Sequence, residues 1–222
     1  MSSVRVHTCP LLGLGLVTET RGERKERTRR AILDAALTLC EDSSLVALSL
    51  RQVAKEVGIV PTAFYRHFDS IEALGLALVE ESFVSLREML LDVHRSDPAF
   101  EDVIDSSIRI LVEHVHLKHA HFQFIARERA AGPPAVRAAI NYAIRQFEAE
   151  LATDLARFPG TAPWSREDLQ ILSDLIVTAM VATAEGILRN PGRPEAEKVI
   201  VEAAHVQLRM ILIGALNWRS RS

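Results

Sequence analysis

Between Pro61 and Phe68 the chain gathers five side chains suited to one chemistry: Thr62, Ala63, Tyr65, Arg66 and His67. Tyrosine, arginine and histidine donate hydrogen bonds to phosphate oxygens, and the methyl groups of Thr62 and Ala63 can approach a thymine methyl. Upstream, Arg21, Arg24, Lys25, Arg27, Arg29 and Arg30 crowd one helix start against only Glu23 and Glu26. The whole chain is slightly acidic, with a formal net charge of -3 and a pI near 6.3, so a nucleic-acid signature must be local. A basic cluster on an acidic chain is the footprint expected of a phosphate-binding module. A solvated charged face is the plainer use of the arginine run alone, and half-buried packing the plainer use of Tyr65 alone. It is their combination that points to DNA.

A second group of candidates lies further along. Phe83, Leu86, Phe122, Phe124, Ile125, Tyr142 and Phe147 are apolar residues on helices that should meet. An elongated apolar cavity between helices is the usual small-molecule site of a bundle, while plain core is the competing reading for each residue. Arg127 and Arg129 flank Glu128. A guanidinium fork suits a ligand phosphate, and an internal salt bridge to Glu128 or another carboxylate is its alternative use. His114, His116, His119 and His121 crowd a helix junction, but a metal needs three or four converging ligands, and solvated or packing roles fit these residues better. No nucleophile elbow, glycine-rich phosphate loop or HExxH stretch occurs, so no catalytic residue, metal or cofactor is expected.

These residues need elements to position them. With 222 residues, 48% hydrophobic and 25% charged, the chain suits a globular protein of one small domain plus a larger one. Apolar residues recur every three or four positions almost throughout, and no strand pattern appears. Helices are expected over about Arg24–Cys40, Leu50–Val57, Pro61–Phe68, Ser70–Val93, Phe100–Leu117, Ala120–Ala131, Val136–Phe158, Ser165–Asn190 and Glu195–Trp218. Pro98, Gly132-Pro133-Pro134, Phe158-Pro159-Gly160 and the stretch from Pro191 to Pro194 punctuate them. Ser49 and Gln52 have the spacing of a capping box, with Leu48 and Val53 as a hydrophobic staple. Gly58 stands where a left-handed residue closes a helix, and Pro61 fits the first turn of the next. Two short helices joined by a tight glycine-containing turn describe a helix-turn-helix. Of the cysteines, Cys9 and Cys40, the latter falls in an apolar helical pattern; a buried thiol is expected there, which favours a reducing cytoplasm. The apolar run Leu11–Val17 is followed by no small-residue cleavage site and reads as part of a flexible arm rather than a signal peptide. Gln170, Asp174 and Glu185 interrupt the apolar stretch Leu169–Leu188, which reads as a helix packed on other helices and not as a membrane span.

Residues 24 to 74 resemble the DNA-binding domain of the TetR family of bacterial transcriptional regulators. The matching residues are Thr28, Ile32, Ala35 and Ala36, then Ser49 through Ala54, Gly58-Ile59, Phe64 through Phe68, and Glu72 through Leu74. The chain departs from the family pattern at Val60-Pro61, where serine or threonine is frequent, and at Ile71, where a lysine is common. A narrower resemblance, to repressors of unsaturated fatty-acid synthesis, rests on Ile59 through Phe68, Glu72 through Leu76, Phe122 through Arg129, Gln207 through Ile211, Gly214-Ala215 and Trp218.

An all-α fold of about nine helices is therefore expected, with a flexible arm over residues 1–20, a helix-turn-helix domain over 21–69 and a ligand-binding and dimerisation domain over 70–222. The resemblance implies a cytoplasmic homodimer on a palindromic operator, touched by Arg24, Thr28, Arg29, Ser49, Arg51, Pro61, Thr62, Ala63, Tyr65, Arg66 and His67. It also implies an apolar effector such as a long-chain acyl-CoA or fatty acid, with Arg127 and Arg129 toward the CoA phosphates. Ala179, Thr183, Leu208, Ile211, Leu212 and Ala215 are the expected dimer seam, where small residues permit close approach. A constitutive dimeric DNA-binding protein with no ligand is the alternative. An acyl-CoA-handling enzyme is the other, and the motif from Ser49 to Phe68 weighs against it.

Overall fold

Nine α-helices and one 3₁₀ turn make up the computed structural model, which describes residues 20–96, 102–157, 161 and 163–220. In chain order they are α1 (Arg21–Asp42), the 3₁₀ turn (Leu45–Ala47), α2 (Leu50–Val57), α3 (Pro61–Phe64), α4 (Ile71–Ser96), α5 (Val103–Leu117), α6 (His119–Ala131), α7 (Pro134–Leu155), α8 (Arg166–Leu188) and α9 (Pro194–Asn217). No strand occurs among the described residues. The expectations for the arm over residues 1–19, Cys9, Leu11–Val17, Pro98, Phe100 and Phe158-Pro159-Gly160 lie outside the described residues.

The helix starts follow their caps. α1 begins at Arg21, three residues before the expected start, because Thr20 and Glu23 form a capping box of their own. Ser49 and Gln52 form the expected box at α2: the Ser49 amide donates to Gln52 Oε1 at 2.9 Å and the Gln52 amide to Ser49 Oγ at 3.2 Å. Gly58 closes α2 with φ 74° and ψ 30°, a conformation that would strain any residue bearing a Cβ. Pro61 opens α3, and Ser165 caps α8 by accepting from the Asp168 amide at 3.1 Å. The 3₁₀ turn at Leu45–Ala47 was not expected, since three residues are too few to show a period. α3 is also shorter than expected. Past Phe64 the chain tightens, with the His67 amide donating to the Phe64 carbonyl at 2.8 Å and the Arg66 amide to the Ala63 carbonyl at 3.2 Å.

One apolar core runs from α1–α3 into the helices that follow. Ile32, Leu37, Leu45, Val53, Phe64 and Phe68 share it with Leu74, Leu78, Phe83, Phe124, Ile125, Val136 and Ile140 from α4, α6 and α7. A second cluster joins α5, α6 and α8 through Leu111, Val115, Phe122, Ala184 and Ile187. A third joins α5 and α9 through Ile108, Ala204 and Leu208, with Ile176 and Ala179 of α8 packed against them.

The outer helices keep one apolar face uncovered. On α8, Ile171 and Leu175 are exposed; on α9, Val199, Val206, Met210, Ile213 and Leu216 are exposed, with Trp218 just beyond. These positions step by seven, four and three residues and so share a face of α9. Both helices are long and apolar enough to cross a membrane by length and composition. Of the six expected seam residues, Thr183 and Leu208 are buried, and the Thr183 hydroxyl donates to the Ala179 carbonyl at 2.8 Å. Ala179, Ile211, Leu212 and Ala215 are half-buried, with Ala179 and Ile211 packed on the third cluster.

Candidate nucleic-acid interface

The reading surface is built on a scaffold whose inward residues leave no freedom to the outward ones. Val53, Ala54 and Phe64 are fully buried, and Phe68 nearly so. The Phe64 and Phe68 rings meet at a tilt of 45°, 5.8 Å between centroids. Burying alternate sides of α2 and α3 turns Arg51, Pro61, Thr62, Tyr65 and Arg66 outward, all exposed, with Ala63 and His67 half-buried beside them. Tyr65, 54% exposed, stands edge-on to the buried Phe64 ring, which fixes its direction without covering it. Such a row of exposed donors and methyl groups on a rigid short helix suits contact with phosphates and base edges.

Three of the expected contact residues have work inside the chain. Arg29 lays its guanidinium 4.4 Å from the Phe68 ring centroid and donates from Nη1 to the His67 carbonyl at 3.3 Å. It ties α1 to the end of the reading segment. Ser49 Oγ serves the α2 cap, and Thr28 Oγ1 donates to the Arg24 carbonyl at 2.9 Å. The charge around the segment is positive: burial, then Lys25 and Arg29, push the His67 imidazole toward its neutral form. The Lys25 and Arg29 charges, unlike the burial, also suit a phosphate.

Most residues of the expected effector site lie in the core. Phe83, Phe122, Phe124 and Ile125 are buried in the two larger clusters, with Leu86 packed against both and Phe147 against the first. The Phe83 and Phe147 rings lie 5.8 Å apart. Phe124 belongs to the core shared with the head, so it is a structural anchor as much as a wall. Tyr142 is 60% exposed and faces solvent, away from this group. Arg127 and Arg129 have partners within the chain: Arg127 donates to three carbonyls at the end of α1, and Arg129 pairs with the carboxylate of Glu185 at 2.5 Å, the internal use weighed for this pair. Two surface grooves lie elsewhere, one between α5 and α9 edged by Asp105, Arg109 and Lys198, the other between α7 and α8 edged by Arg145, Glu148 and Asp174.

The histidines also part company. His121 shares a 3.0 Å hydrogen bond between Nδ1 and the buried Ser82 hydroxyl, His116 pairs with Glu197 at 3.1 Å, His114 is buried and His119 is exposed. Among the described residues no three His, Cys, Asp or Glu side chains converge to hold a metal. Cys40 is buried as expected, and burial pushes its thiol up to about 12, with the Glu128 charge adding to that and Arg127 opposing it. Sequence reasoning missed the Arg30–Glu81 ion pair, 2.8 Å, which joins α1 to α4. No spacing rule reveals a pair fifty-one residues apart, as the numbers 30 and 81 require.

Known proteins match this arrangement in both halves. A profile of bacterial regulatory proteins of the tetR family matches residues 32–78, and one of tetracyclin repressor-like C-terminal domains matches residues 100–213. Among solved structures, a candidate transcriptional regulator of Pseudomonas aeruginosa PAO1 superposes with a TM-score of 0.70 at 13% identity, covering 91% of this chain and 99% of that one. The reduced form of NemR from E. coli gives a TM-score of 0.60 at 17% identity, covering 83% and 97%. The fatty acid degradation regulator FadR from Bacillus halodurans gives 0.60 at 13% identity, covering 87% and 97%.

Proposed function

The chain belongs to the TetR family of bacterial transcriptional regulators, and from that premise we propose that it is a cytoplasmic, homodimeric repressor reading a palindromic operator under control of an apolar effector. Its activity is DNA binding and not catalysis, as in the family at large. The head is residues 21–69 and the body residues 70–222. The observation that carries the reading is the outward row Thr62, Tyr65 and Arg66 on a segment held by the buried Phe64 and Phe68. Two copies of that segment enter successive major grooves, about 34–36 Å apart on B-DNA. The uncovered apolar faces of α8 and α9 supply the partner surface, since one chain leaves them in water and a second copy covers them by two-fold symmetry.

The effector is a long-chain acyl-CoA or fatty acid seated among α4, α6 and α7, beside Phe83, Leu86 and Phe147. Three observations support it: the aromatic contact between α4 and α7, the polar Ser82–His121 pair next in sequence to Phe83 and Phe122, and the narrower resemblance to repressors of unsaturated fatty-acid synthesis. A solved neighbour is itself a regulator of fatty acid degradation. Opening that wall tilts α4, whose first turn directly follows the reading segment, so the effector and the operator report on each other. A coupling of about 1–3 kcal/mol shifts operator affinity roughly 5–150-fold.

The test is an anisotropy titration of a labelled duplex selected by the protein from a random pool. Tyr65→Ala with Arg66→Ala is expected to weaken binding at least tenfold and to flatten its salt dependence, as fewer counterions are released. Saturated and unsaturated acyl-CoAs added to the wild-type complex are expected to move the midpoint. If no acyl-CoA of any length moves it, the protein is a constitutive DNA-binding dimer.

A further inference from the structure

We infer that Arg127 and Glu128 are positioning residues for DNA reading: they lock the head to α6 and thereby set the distance between the two heads of a dimer. The inference rests on the dimeric DNA-binding reading above. Arg127 Nη1 donates to the carbonyls of Cys40 and Ser43, each at 2.8 Å, and Nη2 donates to the Glu41 carbonyl at 2.9 Å. These carbonyls lie at the end of α1, where a helix leaves its last acceptors unsatisfied and carries partial negative charge. α1 has no basic residue in its own last turn, so α6 provides the cation.

Glu128, next along α6, is fully buried and accepts the Leu45 amide on Oε1 at 2.8 Å, while Oε2 has no hydrogen-bond partner. Burying a half-satisfied carboxylate is unfavourable, and an apolar residue of similar size would stabilise the fold better. What the carboxylate gives is direction: its Oε1 holds the Leu45 N–H in place. The Leu45 side chain completes the joint. It sits fully buried against Gly75 of α4, where an added Cβ would come within 2.2 Å of Leu45 Cδ2 and 3.0 Å of Val136 on α7.

Three contacts therefore fix the segment between α1 and α2: the guanidinium on the α1 end, the carboxylate on the Leu45 amide, and Leu45 in its socket. A further polar tie between head and body, Arg30–Glu81, lies ten residues earlier on α1, as 30 and 40 show, which is about 15 Å along a helix. Without the lock the head pivots on that tie.

The experiment measures affinity for inverted repeats in which the spacer between half-sites is the selected length, or shorter or longer by one and two base pairs. Wild type, Arg127→Ala, Arg127→Lys and Gly75→Ala are compared with Arg157→Ala, which removes only a surface pair with Asp154. Dimer formation is checked by sedimentation. The wild type and Arg157→Ala are expected to prefer one spacer sharply. Arg127→Ala and Gly75→Ala are expected to bind that spacer about tenfold more weakly, in the range of ordinary site coupling, and to discriminate poorly among the others. Arg127→Lys keeps the charge but not the fork and is expected to fall between. A folded, dimeric Arg127→Ala with the wild-type spacer profile overturns the inference. If Arg127→Ala fails to fold, a wild-type profile from Arg127→Lys overturns it equally. A wild type that prefers no inverted repeat contradicts the dimeric reading itself, and the lock with it.

Discussion

Glu128 is the residue whose environment contrasts most with its chemistry. Burial pushes its carboxyl above the usual range, and the Leu45 amide and the Arg127 charge only partly pull it back. Folding therefore favours the protonated form. The stability this contributes is fully present below the unfolded carboxylate range and is lost as pH rises through the higher folded value. Glu128→Gln keeps an acceptor for the Leu45 amide and cannot ionise. The difference in melting temperature, wild type minus Glu128→Gln, is expected to be most favourable to the wild type at acid pH and to decline as pH rises; a difference independent of pH would contradict this. Single residues were legible where local pattern decides their role. Tyr65 and Arg66 lie opposite the buried Phe64 and Phe68, and the period alone turns them outward. The partners of Arg29, Arg127 and Arg129 were not: an internal salt bridge was weighed for the last two, but only the fold brings Phe68, the α1 end and Glu185 to them.

At the scale of the element, the α2–α3 unit depends on its turn. Gly58 has φ 74° with nothing within 4 Å of a built Cβ, so Gly58→Ala adds backbone strain without a clash. The expected loss is about 1–2 kcal/mol. For a domain of this size that lowers the melting temperature by several degrees, and denaturant titration would read it directly. An unchanged midpoint would mean that the turn relaxes. Ser49→Ala removes the cap that accepts the Gln52 amide and is expected to cost about 1 kcal/mol more, measured in the same way. Every long helix was legible because an apolar face recurs over several turns. The ends were less so. Thr20 and Glu23 carry α1 three residues further back than its apolar face reaches, and the reading segment tightens after Phe64 through bonds that no hydrophobic period records.

For the whole molecule, the uncovered faces decide what the chain becomes. α9 presents Val199, Val206, Met210 and Ile213 to water, an apolar row larger than isolated surface residues account for. Leu175→Asp with Met210→Asp is expected to yield monomers by sedimentation with helicity retained, because both side chains are exposed within one chain. Leu208→Asp, inside the α5–α8–α9 cluster, is expected to lower stability instead. The apolar character of α8 was legible in the sequence, but the burial of Thr183 and Leu208 was not, because only the fold shows which side of each helix its own neighbours cover. One core joins α1–α3 to α4, α6 and α7, so in the proposed dimer the orientation of the head follows that of the body. The measurement that tests this account most directly is selection of duplexes from a random pool by the full-length chain. The account predicts enrichment of an inverted repeat whose half-site centres lie one helical turn apart or a multiple of it, about 10–10.5 base pairs per turn. A pool that stays random, or one enriched in a single unrepeated site, would contradict it.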